Sequence, residues 1–312
     1  MSRSETILFA SAFDDAVAWR NAILAELPGA AFQVYPEVRD PAAITTAIVW
    51  RPPLGFFAPL TGLRLVVNLG AGVDSLLGRG DLPDVPIVRM SDPGMVSMMT
   101  SYVLFSVIRH AREIDSFEEA QRRREWRYVH PRPLSSVKVG VLGLGELGAA
   151  AATALAGLGF DVHGWSRRGK EVPGVACGHG MEALDALLGA VEILVIMLPL
   201  TPETRGLVSA ERLRRMRPGA KLINVARGPV VDEDALIAAL EGGHLGGATL
   251  DVFVTEPLPV TSPLWAMPNV LITPHLASIT VPEEAARDVA ESIRRVARGA
   301  PPLHLVDLRR GY

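Results

Sequence analysis

Cysteine is almost absent, since Cys177 is the one thiol in 312 residues. No disulfide framework can be built from it, so the fold must rest on packing, and a reducing compartment is the expected setting. Long apolar runs are also missing. The longest, around 193–200, has the length of a strand and falls well short of the roughly 20 residues that span a bilayer. Neither charge dominates: 31 Lys and Arg stand against 34 Asp and Glu, a formal net charge of -3. The basic run Arg122 to Arg124 falls in a helical pattern and reads as a solvated helix face. This balance argues against a nucleic-acid partner. No Cys/His spacing suits a metal, so none is expected, and Cys177 has no evident activating neighbour. The short apolar run at 7–10 meets Asp14 and Asp15 at once and reads as a strand, not a signal peptide. The expectation is a cytoplasmic protein with no membrane partner.

What the chain does contain is a regular alternation of strand-like and helix-like segments, the pattern of an α/β protein with parallel sheets covered on both faces. Strands are predicted at 6–10, 32–35, 47–50, 65–69 and 86–88, with an amphipathic helix over 14–27. A long helix over 95–114, apolar on several faces, predicts burial between domains or between subunits. The charged, aromatic and Pro-rich stretch 121–133 reads as a connection. A second alternating block has strands at 137–142, 160–165, 193–197, 221–225, 248–252 and 270–273. The last helix, 281–298, is expected to pack back on the first block. At about 150 residues per domain the length suits two domains, here two doubly wound parallel-sheet domains.

Chemistry concentrates at the ends of the predicted strands. Gly143-Leu144-Gly145-Glu146-Leu147-Gly148 follows the strand at 137–142 and opens a helix. A bare G-x-G-x-x-G is weak, but strand, glycine turn, helix and second strand together form the context a dinucleotide site requires. Gly143 permits the tight turn, Gly145 lets backbone approach a pyrophosphate, and Gly148 permits close helix–strand packing. Free N–H groups at the helix start suit phosphate. An NAD site usually carries a carboxylate at the end of the second strand. Here Ser166, Arg167 and Arg168 occupy that end, and Asp161 lies at the wrong one. A serine and two arginines suit a ribose 2′-phosphate, so NADP(H) is expected to be preferred, with NAD(H) a possible second cofactor.

Read together, Val49-Trp50-Arg51-Pro52-Pro53, Asn68-Leu69-Gly70-Ala71-Gly72-Val73-Asp74, the glycine motif, Leu198-Pro199-Leu200-Thr201-Pro202-Glu203-Thr204, Asn224-Val225-Ala226-Arg227-Gly228, the stretch from Leu250 to Pro257, and Thr273-Pro274-His275-Leu276-Ala277-Ser278 resemble the D-isomer-specific 2-hydroxyacid dehydrogenase family. Within it the chain looks most like the glyoxylate/hydroxypyruvate reductase A type. The resemblance runs nearly the full length. It implies a flavodoxin-like substrate domain (1–94 and 282–312) and a Rossmann cofactor domain (95–281). The activity it implies is NAD(P)H-dependent reduction of a small 2-keto acid to the D-2-hydroxy acid.

The same resemblance implies three catalytic residues, Arg227, Glu256 and His275, and chemistry supports each. Hydride delivery to a keto carbon builds negative charge on oxygen. An imidazole can donate a proton near neutral pH, a carboxylate behind it favours the imidazolium, and a guanidinium fork orients an anionic substrate. By resemblance Leu69, Gly70, Ala71 and Gly72 bind the substrate carboxylate through backbone N–H groups. The resemblance also implies that Trp50 and Arg51, with Trp265, wall a small pocket, that Asp251 accepts from the nicotinamide carboxamide, and that Leu198, Pro199, Thr204, Val225, Ala226, Ala277 and Ser278 line the cofactor path. Met95, Met98 and Met99 read as packing at a helix start.

Rival readings are a nicotinamide-binding protein on the same fold, separable by turnover; a formate dehydrogenase, which by resemblance carries Gln in place of Glu256; and a phosphoglycerate dehydrogenase, against which stands the expectation of no regulatory extension after Tyr312, though short versions of that enzyme exist. A two-fold homodimer built largely on the apolar 95–114 helix and the connecting segment after it is expected.

Overall fold

Both alternating blocks form parallel sheets. The computed structural model describes residues 5–310, and its contacts divide the chain into two units, Met1–Met95 with Ile279–Tyr312, and Val96–Ser278.

The first unit holds β1 (Thr6–Ala10), β2 (Ala31–Val34), β3 (Thr46–Val49), β4 (Leu65–Asn68) and β5 (Ile87–Arg89), in the order β2-β1-β3-β4-β5 and all parallel. Every residue of β1, β3 and β4 is buried, as expected of central strands covered on both faces. The order is the flavodoxin-like one, with its switch point between β1 and β3. Helix α1 (Ala16–Glu26) starts where the Asp15 carboxylate accepts the amides of Val17 and Ala18, a side-chain cap on otherwise orphaned donors. It buries Trp19 and Ile23 and packs against α8 (Pro282–Ala297), which turns Ala286, Val289, Ala290 and Ile293 inward at helical spacing.

The second unit contains most of α2 (Pro93–Ala111) and all of α3 (Ile114–Arg123). Its α/β block follows: β6 (Lys138–Leu142), α4 (Glu146–Gly157), β7 (Asp161–Trp165), β8 (Ala176–Gly178), α5 (Gly180–Ala190), β9 (Ile193–Ile196), α6 (Ala210–Arg215), β10 (Lys221–Asn224), α7 (Glu233–Glu241), β11 (Gly247–Leu250) and β12 (Val270–Ile272). The parallel order β12-β11-β10-β9-β6-β7-β8 is the dinucleotide-binding order extended by one strand, and its switch point lies between β6 and β9.

Two local expectations are corrected. The single helix predicted over 95–114 ends earlier, because Glu113 takes a left-handed backbone (φ 52°). A separate helix, α3, follows and absorbs the first residues of the predicted connection 121–133 until Arg124 (φ 59°) stops it. This helix carries few apolar residues, so periodicity could not reveal it. Charge anchors it instead, through Asp115–Lys221 and Arg109–Glu118. Second, the three-residue edge strand β8, half to fully exposed, has no apolar run to announce it. On α2 the apolar residues divide between two faces. Met99, Val103 and Val107 enter the core of the unit, while Phe105 and Ile108 are exposed.

Among the described residues no helix is long and apolar enough to cross a membrane, and no cluster of His, Cys, Asp or Glu could hold a metal ion. Cys177 is free and exposed.

Candidate active site

In the second unit the residues singled out by the sequence lie in loops at the carboxyl ends of the strands. The glycine turn between β6 and α4 assigns each glycine a different task. Gly143 has φ 101°, and a Cβ on it would stand 2.6 Å from the Met197 carbonyl oxygen, so both conformation and space require glycine. A Cβ on Gly148 would overlap the Gly143 carbonyl. Gly145 differs, because a side chain there would meet nothing within 4 Å. It is exposed and is the N-cap of α4, with no side-chain cap bond. The helix therefore presents its first amides, beside exposed Glu146 and half-buried Leu147, to an open face. That face fits a pyrophosphate.

After β7, Ser166 contributes a buried hydroxyl with no hydrogen-bond partner among the described residues. Arg167 and Arg168 beside it are exposed, with the Arg167 guanidinium 4.0 Å from Glu203. An orphaned hydroxyl between a strand end and two arginines fits an incoming phosphate oxygen. On the other side of the switch point Leu198 is buried, and Thr204 ties its loop by accepting from the Thr201 amide (2.8 Å) and donating to the Pro199 carbonyl (2.6 Å).

The loop after β10 is folded by Asn224, whose amide donates to the Arg227 carbonyl (3.1 Å) and whose oxygen accepts from the Ala226 amide (3.1 Å). Val225 and Ala226 are buried, and Arg227 is half-buried with its guanidinium donating to the Ala226 carbonyl at 2.7 Å. A Cβ on Gly228 would overlap the Phe253 backbone, so this glycine lets the Arg227 loop pass against the loop that carries Glu256. In that second loop Glu256 Oε1 accepts from the Phe253 amide (3.1 Å), and Oε2 lies 2.8 Å from His275 Nδ1. With Nδ1–H given to Glu256, Nε2 is the ring atom left to hand over a proton. The side chains of the pair are 23% and 15% exposed, accessible enough for a small reactant.

His275 itself has φ 56°, a conformation an L-residue adopts only when its surroundings enforce it. The enforcement comes from Asp251, 1% exposed. Its carbonyl accepts from the His275 amide (2.8 Å), and its carboxylate accepts from the amides of Leu276 and Ala277 (2.9 Å each) and from Thr273 Oγ1 (2.6 Å). Ala277 is buried and Ser278 half-buried beside this turn. Trp265 is 54% exposed, its indole N–H bound to the Pro259 carbonyl.

In the first unit Trp50 and Arg51 follow β3, next to the switch point. Arg51 (φ 47°) lays its guanidinium 5.5 Å from the centre of the Trp50 ring. A Cβ on Gly70 would overlap that same indole, so glycine is needed here for the tryptophan to lie across the loop. The loop is held from both sides. The buried Asn68 amide donates to the carbonyls of Gly70 (2.8 Å) and Gly72 (3.1 Å), and Thr280 Oγ1 donates to the Leu69 carbonyl. Ala71 and Gly72 remain half-exposed.

Sequence reasoning did not single out Asn68, Asn224, Gly228, Thr273 or Tyr102. Asn68, Asn224, Gly228 and Thr273 lie inside the quoted motifs, but their work is to fold loops, and that is visible only once partners are placed. Tyr102 gave no motif signal. A second polar cluster at the amino ends of the strands was likewise unannounced. His110, Asp115, Lys221, Arg132 and Glu192 line a cleft of about 580 Å³ there. Four of its charges form pairs: Lys221 with Asp115 at 3.1 Å, Arg132 with Glu192 at 2.8 Å.

Comparison with known proteins shows the family. Residues 104–277 match the family model of the D-isomer specific 2-hydroxyacid dehydrogenase, NAD binding domain. The chain is 41% identical over 312 residues to a glyoxylate/hydroxypyruvate reductase A of Serratia proteamaculans, covering 98% of this chain and 99% of that one. It is similar to the crystal structure of a D-isomer specific 2-hydroxyacid dehydrogenase from Xanthobacter autotrophicus Py2 in complex with NADPH and MES (TM-score 0.95, 58% identity, 99% and 100% coverage). It is also similar to an NADPH-dependent glyoxylate/hydroxypyruvate reductase from Sinorhizobium meliloti in complex with NADP and sulfate (TM-score 0.92, 35% identity, 99% and 100% coverage). With a family model over more than half its length and relatives of this identity over nearly all of it, the chain belongs to the D-isomer specific 2-hydroxyacid dehydrogenase family.

Proposed function

We propose that this protein reduces the keto group of a small 2-keto acid, of the glyoxylate or hydroxypyruvate type, to the D-2-hydroxy acid, with NADPH preferred and NADH accepted. The observation that carries the reading is the His275–Glu256 pair at 2.8 Å on an enforced left-handed turn. It sits in the same unit as an open glycine turn and a strand end bearing Ser166, Arg167 and Arg168. The names of the relatives, among them reductases of glyoxylate and hydroxypyruvate and a structure with bound NADPH, support the substrate class and the cofactor.

When bound, the nicotinamide supplies the hydride for the keto carbon. The backbone at Gly143–Gly148 and the start of α4 hold the pyrophosphate. Ser166, Arg167 and Arg168 take the 2′-phosphate, while Leu198, Pro199, Thr204, Val225, Ala226, Ala277 and Ser278 line the cofactor path. Asp251 accepts from the carboxamide with the capacity left on its carboxylate. Arg227 pairs with the substrate and polarises its C2 oxygen. His275 gives that oxygen the proton from Nε2, and Glu256 stabilises the imidazolium before the transfer. In the first unit, Leu69 and the amides of Gly70, Ala71 and Gly72 receive the substrate carboxylate. Trp50 and Arg51 limit substrate size, as does Trp265 in the second unit. On this reading the first unit is the substrate domain and the second the cofactor domain.

The test is a panel of 2-keto acids assayed with NADPH and with NADH. Turnover of glyoxylate or hydroxypyruvate with a lower KM for NADPH is expected, and tight NADPH binding without turnover of any keto acid overturns the reading. Exposed Phe105 and Ile108 on α2 and Ile114 on α3 support a homodimer, which sedimentation as a monomer at micromolar concentration would contradict, and the cytoplasm is its proposed location.

A further inference from the structure

Asp251 grips the His275 turn, and a chain of hydroxyls leads to Asp251 from elsewhere in the same unit. Tyr102, half-buried on α2, places its hydroxyl 2.5 Å from Thr273 Oγ1, and Thr273 Oγ1 lies 2.6 Å from Asp251 Oδ1. A hydroxyl has a single proton to give. Thr273 spends its proton on the carboxylate, which has none, so the tyrosine must donate to the threonine. The direction is therefore fixed: Tyr102 to Thr273 to Asp251. Burial pushes the Tyr102 hydroxyl up to about 12, which keeps it a neutral donor at working pH.

The carboxylate oxygen at the end of this chain is the one that also accepts the Leu276 amide (2.9 Å), and the other oxygen accepts the Ala277 amide. Four donors of the segment 273–277, the Thr273 hydroxyl and the amides of His275, Leu276 and Ala277, thus converge on a single aspartate. The residue they bracket is the one in left-handed conformation, whose ring must keep its 2.8 Å contact with Glu256. Without the hydroxyl chain, Asp251 Oδ1 keeps one of its two partners, the Leu276 amide, and the turn loses one of the four ties that hold it to the aspartate.

We infer that Tyr102 and Thr273 are positioning residues for the reaction, fixing through Asp251 the turn that aims His275. The inference rests on the reading of His275 as the proton donor.

Three variants and one combination test it. Tyr102→Phe removes a single oxygen and keeps the ring, and Thr273→Val removes the hydroxyl from a side chain of the same shape. Each is expected to lower kcat for glyoxylate roughly ten- to a hundredfold, the scale set by small misplacements of a reacting group, with KM for NADPH held within about twofold. Thr273→Ser keeps the hydroxyl and is expected to keep most of the turnover. In a His275→Ala background, Tyr102→Phe should bring no further loss, because there is no longer a ring to aim. Wild-type kcat in both Tyr102→Phe and Thr273→Val overturns the inference. So does an equal loss from Tyr102→Phe with and without His275, which would mark a role in general packing. Failure of the underlying reading looks different: His275→Ala would then retain near-normal kcat whatever Tyr102 does.

Discussion

The two ends of the parallel sheet in the second unit are built on opposite principles. At the amino ends, ion pairs join the sheet to its neighbours, although His110 Nδ1 makes no hydrogen bond among the described residues. His110 is enclosed with its Nε2 on Thr249 (2.9 Å), and Asp115 meets Lys221 (3.1 Å) while lying 3.6 Å from His110 Nδ1. Burial pushes the Asp115 carboxyl up, but His110 and Lys221 beside it outweigh this and hold it well below the usual carboxylate range. At the carboxyl ends the Ser166 hydroxyl is buried with no hydrogen-bond partner among the described residues, Gly145 lies on an open face, and His275 stands in a costly conformation at φ 56°. One end spends its polar groups on holding α3 and the sheet together. The other keeps them available for a ligand, and strain of this kind persists where surrounding structure over-determines it.

This contrast has consequences that separate activity from stability. The largest effect belongs to His275→Ala, expected to lower kcat for glyoxylate by about 10²–10⁴-fold with the Kd for NADPH, measured by fluorescence titration, unchanged. Next come the glycines of one motif. Gly145→Ala, whose Cβ meets nothing, should leave the melting temperature near wild type yet weaken NADPH by roughly tenfold, since the phosphate must approach that backbone. Gly148→Ala, whose Cβ overlaps the Gly143 carbonyl, should lower the melting temperature as well. If both glycine variants melt alike, the distinction between an open and a packed glycine is wrong. Arg167→Ala combined with Arg168→Ala should raise KM for NADPH roughly tenfold or more while KM for NADH stays close to wild type, charge-assisted bonds to the 2′-phosphate being the lost element. Equal effects on the two cofactors would show that these arginines do not read that phosphate.

Smallest in its effect on turnover is the amino end. Asp115→Asn should leave kcat and KM near wild type but cost roughly 3 kcal/mol of stability, the order expected when one partner of a buried ion pair is removed. The pH dependence follows from two groups. His110 is held neutral because burial lowers its affinity for a proton, a nearby Asp115 notwithstanding. The unfolded chain takes up that proton below about 6.5, so stability is full above this pH and declines as pH falls below it. The Asp115 carboxylate adds stability that is complete above its unfolded value near 4 and drains away as pH falls toward its lower folded one. Both slopes have the same sign, and chemical denaturation between pH 7 and 3 should show a two-stage loss. In Asp115→Asn the lower stage should shrink, the remainder coming from other carboxylates held low by arginine, such as Glu192 beside Arg132.

The strand ends bearing Gly143–Gly148, Ser166–Arg168, Arg227, Glu256 and His275 were legible because each follows an apolar run of strand length, and in a parallel sheet such ends share one edge. Illegible were the elements that depend on partners distant in sequence. Helix α3 could not be read from periodicity because its anchors are Lys221 and Arg109, not an apolar stripe. Glycine at 228 reads as part of a motif, but the reason for it, the Phe253 backbone pressed against its Cα, lies 25 residues on. Asp251 reads as a ligand for nicotinamide, whereas its placed partners are mainly the turn that carries His275.

By itself the sequence determined the class of fold, the two alternating blocks, the glycine turn and the identity of the residues at the strand ends, because these rest on local patterns: apolar runs, short-range glycine spacing, and charge next to a strand. Tertiary structure alone decided how those residues are held. The left-handed His275, its 2.8 Å approach to Glu256 and the hydroxyl chain from Tyr102 each join segments many residues apart. Hydrogen bonds of this kind depend on distance and angle to a few tenths of an ångström, which no one-dimensional pattern encodes and only packing of the sheet and its helices can set.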